Sequence, residues 1–144
     1  MDLFIVRHGN TFDKGDTVTR VGARTDLALS TSGQTQAEAL ALHFMATQTA
    51  GFGAAYCRRR QRTRQTAETI LAVYEPRPPL ETLEFLREID YGPDENQAED
   101  AVVARIGKVA LAAWDATAVP PPGWDIDPEG LKCAWRDLMS SVST

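Results

Sequence analysis

Leu3-Phe4-Ile5-Val6-Arg7-His8-Gly9 is the stretch on which the reading of this chain turns. Four successive apolar residues, two of them β-branched and one aromatic, suit a short strand buried on both faces. The run stops at a cation, an imidazole and a glycine, so the expected strand delivers Arg7 and His8 to its carboxyl end. Downstream, residues 10–29 are polar and aperiodic, a loop of a length usually reserved for function. Ser30-Thr31-Ser32 offers capping hydroxyls to a helix expected from about Gly33 to Thr49, with Ala37, Leu40, Ala41 and Phe44 at core spacing. Phe52–Cys57 reads as a second strand and Gln61–Tyr74 as a second helix, with Ala67, Ile70, Leu71 and Tyr74 on one face. Prolines 76, 78 and 79 end that helix. Leu80–Leu86 is a third strand candidate, followed by a second polar loop through Asn96. A helix is expected over Gln97–Ala116, a break at residues 120–123, and a last helix from about Pro128 to Ser141. Strands alternating with helices imply an α/β protein with a parallel sheet, whose ligands bind beyond the carboxyl ends of the strands.

Length and composition bound the answer. A chain of 144 residues, 43% hydrophobic and 24% charged, fits one soluble globular domain over residues 1–144. Its net charge of -5 disfavours non-specific attraction to nucleic acid or an anionic membrane, so an anion site must be local. The first six residues lack the length and cleavage region of a signal peptide, and no apolar run approaches a membrane span. Two cysteines, Cys57 and Cys133, form no disulfide framework or zinc cluster; reduced thiols in a cytoplasmic protein are the expectation.

Three segments carry chemistry. Arg7-His8-Gly9 places a cation and an imidazole where a strand opens into a loop, with a glycine that lets backbone approach a ligand. Arg62-Thr63-Arg64-Gln65-Thr66-Ala67-Glu68 begins a helix, where free N–H groups and the dipole favour anions. Five arginines crowd between Arg58 and Arg64; a phosphate site accounts for one or two, and the others are expected to face water. Leu86-Arg87-Glu88-Ile89-Asp90-Tyr91-Gly92 brings a carboxylate from a different strand end, in position for general acid work. The alternative for Glu88 is a surface loop acid.

Together these segments resemble the histidine phosphatase superfamily. Arg7-His8-Gly9-Asn10-Thr11 is similar to R-H-G-x-T. The stretch from Asp26 to Ala37 is similar to D-x-x-L-[ST]-x-x-G-x-x-Q-A, Arg62 to Glu68 to R-x-x-Q-T-A-E, and Glu88 to Glu95 to E-x-x-x-G-x-x-E, all in the family's order. The resemblance implies a three-layer α/β/α fold with a mostly parallel sheet, like phosphoglycerate mutase. It implies a phosphatase acting on phosphomonoesters, either small molecules or phosphoproteins, through a phosphohistidine on His8. Arg7 and Arg62 would hold the phosphoryl group, Asn10 and Thr11 would add donors, and Glu88 would be the proton donor. No cofactor or metal is implied, because the arginines neutralise charge.

The departures matter as much. The family completes its pocket with a second histidine in a late H-G segment, whereas this sequence has only His8 and His43, and His43 falls within the first expected helix. Truncation at the C-terminus is therefore expected, and a phosphate-binding module that turns over weakly is the alternative reading. Arg58 and Arg60 stand where the family commonly has Ser and Leu. Ile89 stands where mutases carry an arginine, which argues against a phosphoglycerate-type mutase.

Overall fold

A computed structural model describes residues 1–142. Its regular elements alternate as expected: α1 (Thr31–Thr47), β1 (Ala55–Cys57), α2 (Gln61–Leu71), β2 (Leu80–Thr82), α3 (Glu99–Thr117) and α4 (Pro128–Val142). β1 and β2 pair in parallel, with Ala55 opposite Leu80 and Cys57 opposite Thr82. The fold is thus mixed α/β around a parallel sheet, two strands wide among the described residues.

Leu3–Val6 departs from expectation. The segment carries no strand pairing, and its side chains face out, with Ile5 at 78% exposure. An apolar run predisposes a chain to extended structure, but a strand exists only where a neighbour supplies the other half of the hydrogen-bond ladder. Among the described residues no neighbour completes such a ladder with it. Phe4, though also exposed, meets Phe44 at 5.4 Å and Phe52 at 5.9 Å between ring centroids. The third strand is also shorter than its sequence suggests: Leu80–Thr82 pairs, and Glu84–Leu86 then coils into a single 3₁₀ turn.

Two apolar clusters hold the molecule together. The first lies between α1 and α2, where Ala37, Ala41, Phe44, Ile70 and Leu71 are buried and an edge-to-face chain of rings runs from Phe44 through Phe52 to Tyr74. Such pairs add about 0.5–1.5 kcal/mol each beyond the area they bury. The second centres on Val102, Leu111 and Trp124, covered by Ile89, Tyr91, Ile106, Trp114 and Ile126. It gathers α3 and the loop after β2 around a buried carboxylate. Asp94, 1% exposed, accepts from Arg105 through both oxygens and from Trp124 Nε1 at 2.7 Å. Breaking a buried pair of this kind costs roughly 3–5 kcal/mol. α3 bends at Gly107, whose φ of 81° only glycine adopts readily.

The capping of α1 is where sequence and structure meet most directly. Ser30 is the N-cap, its Oγ accepting from Gly33 N at 3.2 Å, and Asp13 reaches across from the loop to take the N–H groups of Thr31 and Ser32 at 3.1 Å. No helix among the described residues is long and apolar enough to cross a membrane.

Candidate active site

Glycine geometry sets the position of the imidazole. Gly9 presses against the first turn of α1 so closely that a Cβ on it would come within 2.3 Å of Gly33 O, and one on Gly33 within 2.0 Å of Asn10 O. Only two facing glycines permit that approach. Gly9 N also donates to Thr66 Oγ1 at 3.2 Å, which ties the loop to the middle of α2. Thr66 stands one turn beyond Arg62 on the same face, so one helix positions both the loop and the cation.

His8 Nδ1 donates to Gly9 O at 2.7 Å, and Arg62 Nε donates to His8 Nε2 at 3.2 Å. The two bonds select one tautomer: the proton lies on Nδ1 and the Nε2 lone pair faces Arg62. Arg62 itself is 1% exposed. Its Nη1 donates to Thr25 O at 2.8 Å and its Nη2 to Gly22 O at 3.2 Å, so the backbone strap of residues 22–25 holds the guanidinium in place. Glu95 secures that strap in turn. Its Oε1 accepts from Gly22 N at 2.9 Å, Arg24 N at 3.1 Å and Thr25 Oγ1 at 2.8 Å, while Oε2 accepts from Tyr91 N at 3.3 Å.

Glu88 closes the group. Its Oε2 lies 3.8 Å from His8 Nε2 and 3.7 Å from Arg62 Nη2, with the side chain 36% exposed. Those spacings exceed hydrogen-bond range but keep the carboxylate close to the Arg62 guanidinium charge. The His8 imidazole, with Arg62 and Arg7, holds the Glu88 carboxyl below its ordinary value, against the burial that pushes it up. The resting carboxylate is therefore ionised at neutral pH.

Arg7, His8, Asn10, Thr11, Arg62 and Glu88 all line one cavity of about 810 Å³, together with Phe12, Val18, Arg20, Leu40 and Tyr91. Arg7 is exposed. Asn10 is engaged locally, its N accepted by Gln36 Oε1 at 2.8 Å and its Nδ2 donating to Ser32 Oγ at 3.2 Å. His43 sits on the exposed side of α1 beside Phe44, outside this cavity. Ile89 packs against the Trp124 cluster, and its carbonyl accepts from Ala23 N at 2.8 Å.

Sequence reasoning did not assign roles to Thr66, Glu95 or Asp13. The first two sit inside quoted motifs, in R-x-x-Q-T-A-E and E-x-x-x-G-x-x-E, where the spacing was visible but the partners were not. Asp13 left no such signal, since its partners lie 18 and 19 residues away.

The histidine phosphatase superfamily (branch 1) matches residues 3–132. No curated protein matches by sequence. Among solved structures, a vanadate complex of mycobacterial glucosyl-3-phosphoglycerate phosphatase aligns with a TM-score of 0.74 and 22% identity, over 94% of this chain and 64% of that one. The YhfR protein of Bacillus stearothermophilus aligns at 0.72 and 24%, over 95% and 65%. A putative alpha-ribazole-5'-P phosphatase from Escherichia coli aligns at 0.66 and 19%, over 96% and 65%. At these identities the likeness is one of fold, and the chain spans less than two thirds of each of these proteins.

Proposed function

The chain belongs to the histidine phosphatase superfamily, and on that footing we propose that it hydrolyses phosphomonoesters, of small molecules or phosphoproteins, through a phosphohistidine on His8. The observation that carries this reading is the 3.2 Å contact between Arg62 Nε and His8 Nε2, with the imidazole proton held on the far nitrogen by Gly9 O.

A nucleophilic imidazole needs an unprotonated nitrogen facing phosphorus and a cation beside it to meet the phosphoryl oxygens. His8 Nε2 attacks in line, the bond from phosphorus to the leaving oxygen breaks, and the departing oxygen takes a proton. Arg62, held on the strap, shares its Nε–H with an equatorial oxygen, and Arg7 approaches from the open side. Thr11 lines the same wall and adds a hydroxyl donor; Asn10, committed to Ser32 and Gln36, acts through the loop. In the second half water attacks the phosphohistidine, Glu88 accepts its proton, inorganic phosphate leaves, and the free imidazole returns. Because Glu88 is ionised at rest, its acid role in the first half requires it to gain a proton as the dianionic substrate enters and raises its proton affinity.

The test compares the chain with His8→Ala on an aryl phosphate. Phosphate release should fall roughly a thousandfold or more in the variant, and acid-labile phosphohistidine should form transiently in the native chain alone. Equal release from both would remove the mechanism. One observation favours a second reading, a phosphate-binding module without turnover: His8 is the sole histidine lining the cavity, since His43 lies outside it. That reading predicts binding of inorganic phosphate without release from the ester.

A further inference from the structure

Arg58, Arg59 and Arg60 line a second cavity of about 310 Å³, with Asp26 and Glu84 on its wall. Three guanidinium groups against two carboxylates leave it net positive in a protein whose overall charge is -5. Asp26 Oδ1 accepts from Gln61 N at 2.8 Å, and the Glu84 carboxylate acts on Arg58 as its partial counter-charge. Arg60 donates through Nη2 to Ala23 O. Arg58 is only partly exposed, and its Nη1 is shut off from solvent without a hydrogen-bond partner. A shielded guanidinium nitrogen with no acceptor is costly, and more so than a neutral donor because it is charged. Burial, and then repulsion from Arg60, also weaken the hold of Arg58 on its proton.

This cavity shares no wall residue with the one around His8. The strap of residues 22–26 runs between them: Arg62 binds its carbonyls at Gly22 and Thr25, and Arg60 binds the one at Ala23. We propose that the Arg58–Arg60 cavity is a second anion site, taking a phosphate-sized oxyanion against the guanidinium groups that line it. An oxyanion supplies both the acceptors and the counter-charge that the protein leaves out, and planar forks match its geometry. Because the two cavities share no lining residue, each anion gives its own saturation curve. The site stands whether or not His8 carries out catalysis.

The test is a titration of the ¹⁵N-labelled full chain with inorganic phosphate, at ionic strength held constant with sodium chloride, followed by amide chemical shifts. Amides of residues 26 and 58–60 should move along one saturating curve, and those of residues 8, 9 and 66 along another. Arg58→Ser should weaken the first curve about tenfold or more, as loss of a charge-assisted hydrogen bond does, and leave the second in place. Arg58→Lys, which keeps the charge and loses the fork, should weaken it several-fold, and it serves if the serine variant unfolds. The proposal fails if residues 58–60 stay still while residues 8, 9 and 66 saturate, or if a folded Arg58 variant binds as tightly as the native chain. If residues 58–60 saturate and residues 8, 9 and 66 do not, this site is upheld and the phosphohydrolase reading is the one that falls.

Discussion

Arg58 and Arg62 lie four residues apart at the start of α2, yet their surroundings are opposite. Arg62 is almost wholly buried and fully engaged, with Thr25 O, Gly22 O and His8 Nε2 as acceptors. Arg58 is less buried and has a shielded nitrogen with no acceptor at all. Burial of a guanidinium is tolerable when the fold supplies its acceptors, and costly when it does not. The contrast teaches that a cluster of like residues in sequence says little about which of them the protein has built into its frame. Arg60 and Arg62 both bind carbonyls of the strap of residues 22–25, whereas Arg58 Nη1 meets no acceptor.

Breaking the engaged side should have the largest effect. Arg62→Ala leaves one buried carbonyl, one part-buried carbonyl and an imidazole without their donor, and should lower the unfolding free energy by about 3 kcal/mol while phosphate release falls with it. Urea unfolding and an aryl phosphate assay on the same preparation check both. A stability unchanged from the native chain would show that the strap does not depend on Arg62.

Glu88→Gln keeps the shape of the side chain and removes its proton chemistry. Turnover should fall by roughly a hundredfold, with little change in affinity for inorganic phosphate. If kcat is untouched, Glu88 is the surface loop acid of the alternative reading.

On the other side of the strap the sign should reverse. In phosphate-free buffer, Arg58→Ser relieves a shielded, unanswered donor and should raise the unfolding free energy by about 1 kcal/mol. A loss as large as that of Arg62→Ala would erase the difference between the two sites.

The smallest effect concerns pH. Glu88 has a folded pKa below its ordinary value of 4.5, so its contribution to stability is present above that value and is lost as pH falls through the lower folded one. Urea midpoints of the native chain and Glu88→Gln should therefore differ at neutral pH and converge in acid. Midpoints that stay parallel across that range would mean that His8, Arg62 and Arg7 do not act on this carboxyl.

Much of the site was legible because its parts are local. Arg7 and His8 are adjacent, Arg62 and Thr66 are one helical turn apart, and the spacing of Glu88 and Glu95 is visible in the chain. The helices were equally plain, since capping by Ser30 and the apolar faces of α1 and α2 depend on near neighbours. Leu3–Val6 shows where this kind of reading stops. Its composition asks for a buried strand, but exposure is set by what lies beside it, and nothing in six residues states that.

The amino-acid order by itself determined the helices, the family pattern, and which side chains were candidates for a phosphate site. Only the tertiary structure decided how they are held: the tautomer of His8 through Gly9 O, the seating of Arg62 on two carbonyls from a loop 37 and 40 residues away, and the anchoring of that loop by Glu95. It also separated Arg58 from Arg62, although both are arginines in one basic run. The physical reason is that propensity and periodicity act within a turn or two of the chain. Hydrogen-bond satisfaction and the fields around charged groups arise between segments that meet only after folding.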